Sequence, residues 1–195
     1  MQILRAHGCE VLAIDKNAER LKLAKNFGAT TLDISDVDLL EKCNKISKGV
    51  GVDGAVICAT SSSSEPLQLA SEICRRRGRV VLVGVTGMEL NRSTFYEKEL
   101  TFQVSCSYGP GRYDLKYERG QIDYPEGFVR WTAKRNFEAI LYLMSRKLID
   151  VGPLISARYD FDEISGAYDS LTSDANLLGL LLEYTAGWRL AAYPN

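Results

Sequence analysis

The chain has 195 residues, 24 Lys+Arg against 25 Asp+Glu for a formal net charge of -1, and 46% hydrophobic residues. That length suits one sizeable core, and the balanced charge gives no electrostatic reason to expect nucleic acid or a membrane surface as partner. No segment approaches the roughly 20 apolar residues of a membrane span.

Taken in chain order, short apolar runs alternate with helical periods, the pattern of an α/β fold with a parallel sheet and crossover helices. Met1 to Ala6 reads as the end of a helix stopped by Gly8. Val11 to Ile14 is a continuous apolar run ending in Asp15, as in a strand buried on both faces. Asn17 suits the cap of a helix that turns Leu21, Ala24 and Phe27 inward and stops at Gly28. Thr30 to Leu32 predicts a short strand, and residues 36–48 a helix with Leu39, Leu40, Cys43 and Ile46 inward. Ala55 to Ala59 predicts another buried strand, followed by a run of serines, Ser61 to Ser64. Ser64 and Pro66 open a helix with Leu67, Ala70, Ile73 and Cys74 inward, closed by Gly78. Arg79 to Val85 is the clearest strand, and Leu100 to Ser105 predicts one more.

Residues 106–131 hold Tyr108, Tyr113, Tyr117 and Tyr124 among glycines and prolines, which predicts a long, ordered loop. Thr132 then caps a helix in which Phe137, Ile140, Leu141, Met144 and Leu148 share one face. A last amphipathic helix carries Phe161, Ile164, Ala167, Tyr168 and Leu171, and Leu177 to Tyr184 is a final strand. The division expected is 1–105, 106–131, 132–184 and a tail at 185–195.

Five cysteines, Cys9, Cys43, Cys58, Cys74 and Cys106, are an odd number without a CxxC pair. That argues for a reduced, cytoplasmic setting rather than a disulfide framework. Cys9, Cys58 and Cys74 lie in apolar runs, where a thiol acts as a small hydrophobe. With His7 as the single histidine, no metal site and no bound zinc are expected in this chain.

Asp15 is the sharpest chemical signal. An acid ending a buried strand before a capped helix can accept hydrogen bonds from the ribose hydroxyls of a dinucleotide, and its charge favours NAD. Lys16 and Arg20 beside it leave room for the 2′-phosphate of NADP. The plainer reading is that Asp15 only helps cap the next helix. Val83-Gly84-Val85 ends the clearest strand at the edge where open sheets bind ligands, yet a tight turn needs the same glycine, and the turn reading is preferred. Thr60 and the serines suit either a nucleotide or a helix start.

In order, Val11 to Asp15, Arg20-Leu21-Lys22-Leu23-Ala24-Lys25-Asn26-Phe27-Gly28-Ala29, Gly51-Val52-Asp53-Gly54-Ala55-Val56 and Gly78-Arg79-Val80-Val81-Leu82-Val83-Gly84-Val85 resemble the cofactor domain of medium-chain, alcohol-dehydrogenase-like oxidoreductases. Glu97 to Gln103, Lys147 to Val151 and Phe161 to Leu171 fit the same pattern. Ser107 to Asp114, Asp123-Tyr124-Pro125 and Val129 to Thr132 are similar to a bacterial subgroup, often fused to a glucose-fructose oxidoreductase-like or inositol dehydrogenase-like domain.

The resemblance implies a Rossmann-type, doubly wound sheet whose first strand and glycine loop fall ahead of Met1, making the chain a fragment. It implies Asp15, Lys16 and Arg20 at the adenosine ribose and Thr60 on the adenine side. Val83, Gly84, Val85 and Ser105 would meet the nicotinamide. It names no catalytic residue in this chain. Arg112, Tyr113, Arg130 and Trp131 are a weak candidate set for a small sugar or polyol substrate, and local packing of the loop is the preferred alternative.

The parent reaction is expected to be hydride transfer between a sugar or polyol hydroxyl and NAD, with the isolated chain inactive. The alternatives are a non-catalytic truncated domain and, less favoured, an S-adenosylmethionine-binding fold. A homo-oligomer is a further expectation, because a sheet without its first strand exposes unpaired edges.

Overall fold

The computed structural model describes residues 1–174 and 176–184, so the expected tail at 185–195 lies outside the described residues. The chain divides into two units: Met1–Leu32 with the residues from Leu143 onward, and Asp33–Tyr142.

The first unit opens with α1 (Gln2–Ala6), β1 (Leu12–Asp15) and α2 (Ala18–Asn26), followed by β2 (Thr30–Asp33), which pairs with β1. Gly8, at φ +80°, ends α1 as expected, its N–H reaching Arg5 O at 2.9 Å. The Asn17 side chain caps α2 by accepting from the amides of Glu19 (2.9 Å) and Arg20 (3.1 Å). The Gln2 amide exchanges two hydrogen bonds with the backbone of Asp150, at 2.8 and 2.7 Å, and so ties α1 to a segment 148 residues away.

The second unit contains α3 (Leu39–Ile46), β3 (Val52–Ile57), α4 (Glu65–Ile73), β4 (Cys74–Leu82), α5 (Arg92–Lys98) and β5 (Thr101–Val104). Its sheet has the order β3-β4-β5, parallel throughout, with Ala55, Val80 and Phe102 in register. Ile57, Leu67, Ala70, Cys74, Val80 and Leu82 form its core. Phe95 on α5 meets Phe102 edge-on at 6.4 Å.

Several expectations need correction. The strands are not buried on both faces: Val80 and Leu82 are sealed, whereas Val56 and Val83 are 51% and 54% exposed. Leu40, expected inward, is 49% exposed, and Cys9 and Cys58 are exposed. The helix expected to run to Gly78 ends at Ile73. Cys74 already pairs with Val52 while Arg79 pairs with Gly54, so residues 75–78 loop out of β4.

What stops α4 is an ammonium group. Lys98 Nζ donates to the carbonyls of Ser71, Glu72 and Cys74 at 3.0, 2.6 and 2.9 Å. Those are the carbonyls a helix end leaves without partners, and glycine is not needed to turn them. The helix that supplies Lys98 went unread in the sequence, although Asn91 caps it conventionally through Ser93 and Thr94.

The loop after β5 carries α6 (Leu115–Glu118) and leads into α7 (Ala133–Ser145). Thr132 is fully buried, and its hydroxyl accepts from the Arg135 amide at 3.4 Å, as its expected capping role requires. The first unit then resumes with β6 (Ile155–Asp160), α8 (Ile164–Ser173) and β7 (Gly179–Glu183), β6 and β7 pairing in parallel. The sequence predicted α8 and β7 but not β6, whose Ile-Ser-Ala-Arg-Tyr-Asp alternates polar and apolar without a long hydrophobic run.

Candidate functional site

Asp15 closes β1 and is half-buried. Its Oδ1 accepts from the Asn17 amide at 2.9 Å, and Oδ2 makes no hydrogen bond among the described residues. Two Asx turns therefore follow each other: Asp15 holds the backbone of Asn17, and Asn17 holds the first amides of α2. The helper-to-the-cap reading of Asp15 is thus real. It occupies one carboxylate oxygen and leaves the other free to accept from a hydroxyl. Lys16 and Arg20 stand exposed beside it.

Thr60, Val83, Gly84, Val85 and Ser105 lie together in the other unit, at the C-terminal edge of β3-β4-β5. Thr60 bridges to Val85. The amides of Val83 and Gly84 both donate to Ile57 O at 2.9 Å, that of Val85 to Ala59 O at 3.1 Å, and that of Ser105 to Leu82 O at 2.8 Å. All four N–H groups are therefore engaged within the protein. Any ligand at this edge is left to carbonyl oxygens and side chains.

Gly84 serves close packing. A Cβ there would collide with the carbonyl oxygen of Ala59 and lie 2.8 Å from the carbonyl carbon of Cys58. Ser64 occupies the N-cap position of α4, but its hydroxyl does not cap the helix; it accepts instead from the Glu89 amide at 3.0 Å.

The spacing Gly-x-Gly-x-x-Gly occurs at Gly49, Gly51 and Gly54, a pattern the sequence reading passed over. Its setting is wrong for phosphate. It follows α3 and runs into β3, whereas a pyrophosphate loop leaves a strand and opens a helix, so that amides and dipole face the anion. Gly51 (φ +93°) instead allows contact with β4, since a Cβ would stand 2.6 Å from the Arg75 nitrogen.

The loop residues are satisfied locally. Arg112 pairs with Glu118 at 2.5 Å and lies over the rings of Tyr113 (4.6 Å) and Tyr108 (5.7 Å). The Tyr113 amide, followed by the Arg112 guanidinium, holds the Glu118 carboxyl below the usual carboxylate range. Arg130 pairs with Glu126 at 3.3 Å and lies over Trp131 at 4.5 Å. Arg135, 14% exposed, donates to Asp123 (2.8 Å) and to the carbonyls of Val129 (2.6 Å) and Tyr124 (2.8 Å). Both arginine–aromatic pairs have a packing function whether or not a substrate meets them.

Among the described residues, no group of three or more His, Cys, Asp or Glu side chains is placed to hold a metal ion. No helix among them is long and apolar enough to cross a membrane.

The parallel β3-β4-β5 sheet with its crossover helices places the chain in the α/β class of fold. The chain belongs to the family described as "Zinc-binding dehydrogenase", whose sequence profile matches residues 1–119. It is 24% identical over 160 residues to an alcohol dehydrogenase of Cupriavidus necator, covering 82% of this chain and 38% of that protein. It is 28% identical over 126 residues to 2-dehydro-3-deoxy-L-galactonate 5-dehydrogenase of Pseudoalteromonas atlantica, covering 62% and 36%.

The fold matches the alcohol dehydrogenase TADH of Thermus sp. ATN1 with a TM-score of 0.71 at 20% identity, over 94% of this chain and 46% of that one. It also matches an alcohol dehydrogenase from E. coli CFT073 complexed with NADH, with a TM-score of 0.67 at 22% identity, over 93% and 47%. The chain thus spans less than half the length of these relatives. The family and the medium-chain dehydrogenase fold are as the sequence led us to expect.

Proposed function

We propose that this chain forms the nicotinamide-dinucleotide side of an oxidoreductase acting on a sugar or polyol hydroxyl. The observation that carries the reading is Asp15 at the end of β1, with one carboxylate oxygen committed to its turn and the other without a partner among the described residues. A ribose diol donates two hydrogen bonds, and such a carboxylate accepts them while repelling a 2′-phosphate. NAD is therefore preferred over NADP, with Lys16 and Arg20 tempering that preference. NAD, when bound, supplies the hydride chemistry. This chain's part is to hold the adenosine at Asp15, to line the adenine side with Thr60, and to offer the edge at Val83, Gly84, Val85 and Ser105 to the nicotinamide.

No residue here is assigned to proton transfer. In this reading the chain itself supplies no zinc ligand. Arg112, Tyr113, Arg130 and Trp131 are a weak candidate surface for a small polyhydroxy substrate, and their pairing within the loop favours a packing role. The relatives' dehydrogenase names support the reaction class, and the unpaired cysteines fit a cytoplasmic setting. Self-association follows if the free edge of β3 recruits a second chain.

Isolated, the chain is expected to turn over no alcohol and to bind NAD only weakly. The glycine spacing it does carry enters a strand and cannot cradle pyrophosphate. Titration of the ¹⁵N-labelled chain with millimolar NAD should shift the amides of Asp15 to Asn17, and Asp15→Ala should abolish the shift. Unmoved amides at Asp15 would refute the ribose assignment, and micromolar binding by calorimetry would refute the weak-binding claim.

A further inference from the structure

We infer that Asn176 is a positioning residue for the adenosine end of the cofactor, acting through Asn17 on Asp15. The conclusion rests on the ribose reading of Asp15 given above. All four residues concerned belong to one unit. Asn17 Oδ1 is fixed by the two amides of α2 that it caps, which fixes the plane of its side-chain amide. Its Nδ2 must then point away from the helix, and there it donates to Asn176 Oδ1 at 3.0 Å. The two residues are 159 positions apart in sequence.

Asn176 is itself held in place, its backbone N–H donating to Asp174 Oδ1 at 2.8 Å just beyond α8. The result is a relay of short polar groups, from Asp174 through Asn176 and Asn17 to Asp15. Each link uses an atom the previous link leaves over. The Asn17 backbone N–H, the last donor in the relay, sets which carboxylate oxygen of Asp15 is occupied and which way the other faces.

Asn17 alone could cap α2, as an aspartate or serine would. What an asparagine adds is the second, donating end of the amide, and that end is used on Asn176. The link is exposed, so it contributes little to overall stability and chiefly orients the turn. Two segments from opposite ends of the chain thereby determine one ribose contact.

The test uses the full ¹⁵N-labelled chain with Asn176→Ala and with Asn176→Asp, which keeps an oxygen acceptor. The probes are ADP-ribose and its analogue lacking the adenosine 2′-hydroxyl. Asn176→Ala should speed exchange of the Asn17 amide about fivefold, the value of one ordinary hydrogen bond, while core amides of β4 stay unchanged. It should also bring the ribose-over-deoxyribose preference toward one, and Asn176→Asp should restore both.

Unchanged exchange together with an unchanged preference in Asn176→Ala would overturn the inference. A wild-type chain that ignores the 2′-hydroxyl sinks the ribose reading and, with it, the cofactor part of the relay. The exchange rates then still report whether Asn176 holds the turn.

Discussion

The Tyr124 phenol donates to Asp114 Oδ2 at 2.6 Å, while Oδ1 of the same carboxylate caps α6 through the amides of Lys116 and Tyr117. The Tyr124 ring also stacks on Tyr117 at 5.5 Å. One side chain thus joins the two halves of the long loop. The hydrogen bond from Tyr124 is the chief cause holding the Asp114 carboxyl below its ordinary range, and the same bond holds the Tyr124 phenol above its own.

The sign follows for each partner. The contribution of Asp114 is complete above the unfolded carboxylate value of about 4 and is lost as pH falls through the lower folded value. That of Tyr124 is complete below about 10 and is lost as pH rises through the higher folded value. Carbon-detected titration of labelled tyrosine should find Tyr124 ionising later than an ordinary tyrosine, and Asp114→Ala should move it back toward ordinary behaviour. An unshifted Tyr124 in the wild-type chain would contradict the assignment.

Lys98→Met removes three hydrogen bonds to carbonyls at the end of α4, those of Ser71 and Cys74 partly buried and that of Glu72 exposed. A loss of about 2 kcal/mol is expected, in the range for hydrogen bonds to a charged group. Urea denaturation measures it, and Lys98→Arg should recover only part of the stability, since a planar guanidinium fits a three-carbonyl cup poorly. A methionine variant as stable as the wild type would show that water serves those carbonyls equally well.

Gly84→Ala and Gly166→Ala should move stability in opposite directions. At Gly84 the methyl group meets the backbone of Cys58 and Ala59, an overpacking that costs about 1–3 kcal/mol. At Gly166, inside α8, nothing stands within 4 Å, and alanine should gain roughly 0.5–1 kcal/mol from helix propensity. The paired denaturation midpoints decide, and a stabilised Gly84→Ala would overturn the close-packing account of that turn.

Cysteine labelling should divide three to two. Cys9, Cys58 and Cys106 are exposed, whereas Cys43 and Cys74 are buried. Burial pushes both of the latter thiols up, only partly opposed at Cys74 by the Lys98 and Arg75 cations. A thiol reagent at neutral pH should modify three sites in the native chain and the other two only on unfolding.

The sequence made the parallel architecture legible because apolar runs such as Val80 to Leu82 cannot be satisfied at a surface. It made α2 legible because Asn17, Ala24 and Gly28 mark its start, its face and its stop. It failed where a distant partner did the work. Gly78 looked like a helix stop because nothing local announces that Lys98 would serve that purpose from 24 residues beyond Cys74. Gly49-Val50-Gly51-Val52-Asp53-Gly54 shows the converse: the spacing is present, but the order of helix and strand around it reverses its meaning. At the candidate site, the carboxylate was readable from Asp15 alone. The commitment of the amides at Val83, Gly84, Val85 and Ser105 was not, because each pairs with a carbonyl on another segment.

The α4–β4–α5 contacts have a consequence for how the chain acquires its structure. Lys98 closes on carbonyls 24 to 27 residues away, and the core from Ile57 to Leu82 spans a similarly short stretch. Contacts of such low sequence separation form early and cost little loop entropy. The 57–104 segment should therefore be the last to open and the first to close, with the slowest-exchanging amides in the chain. The tether between Gln2 and Asp150, which must close a loop of 148 residues, should be among the first to be lost.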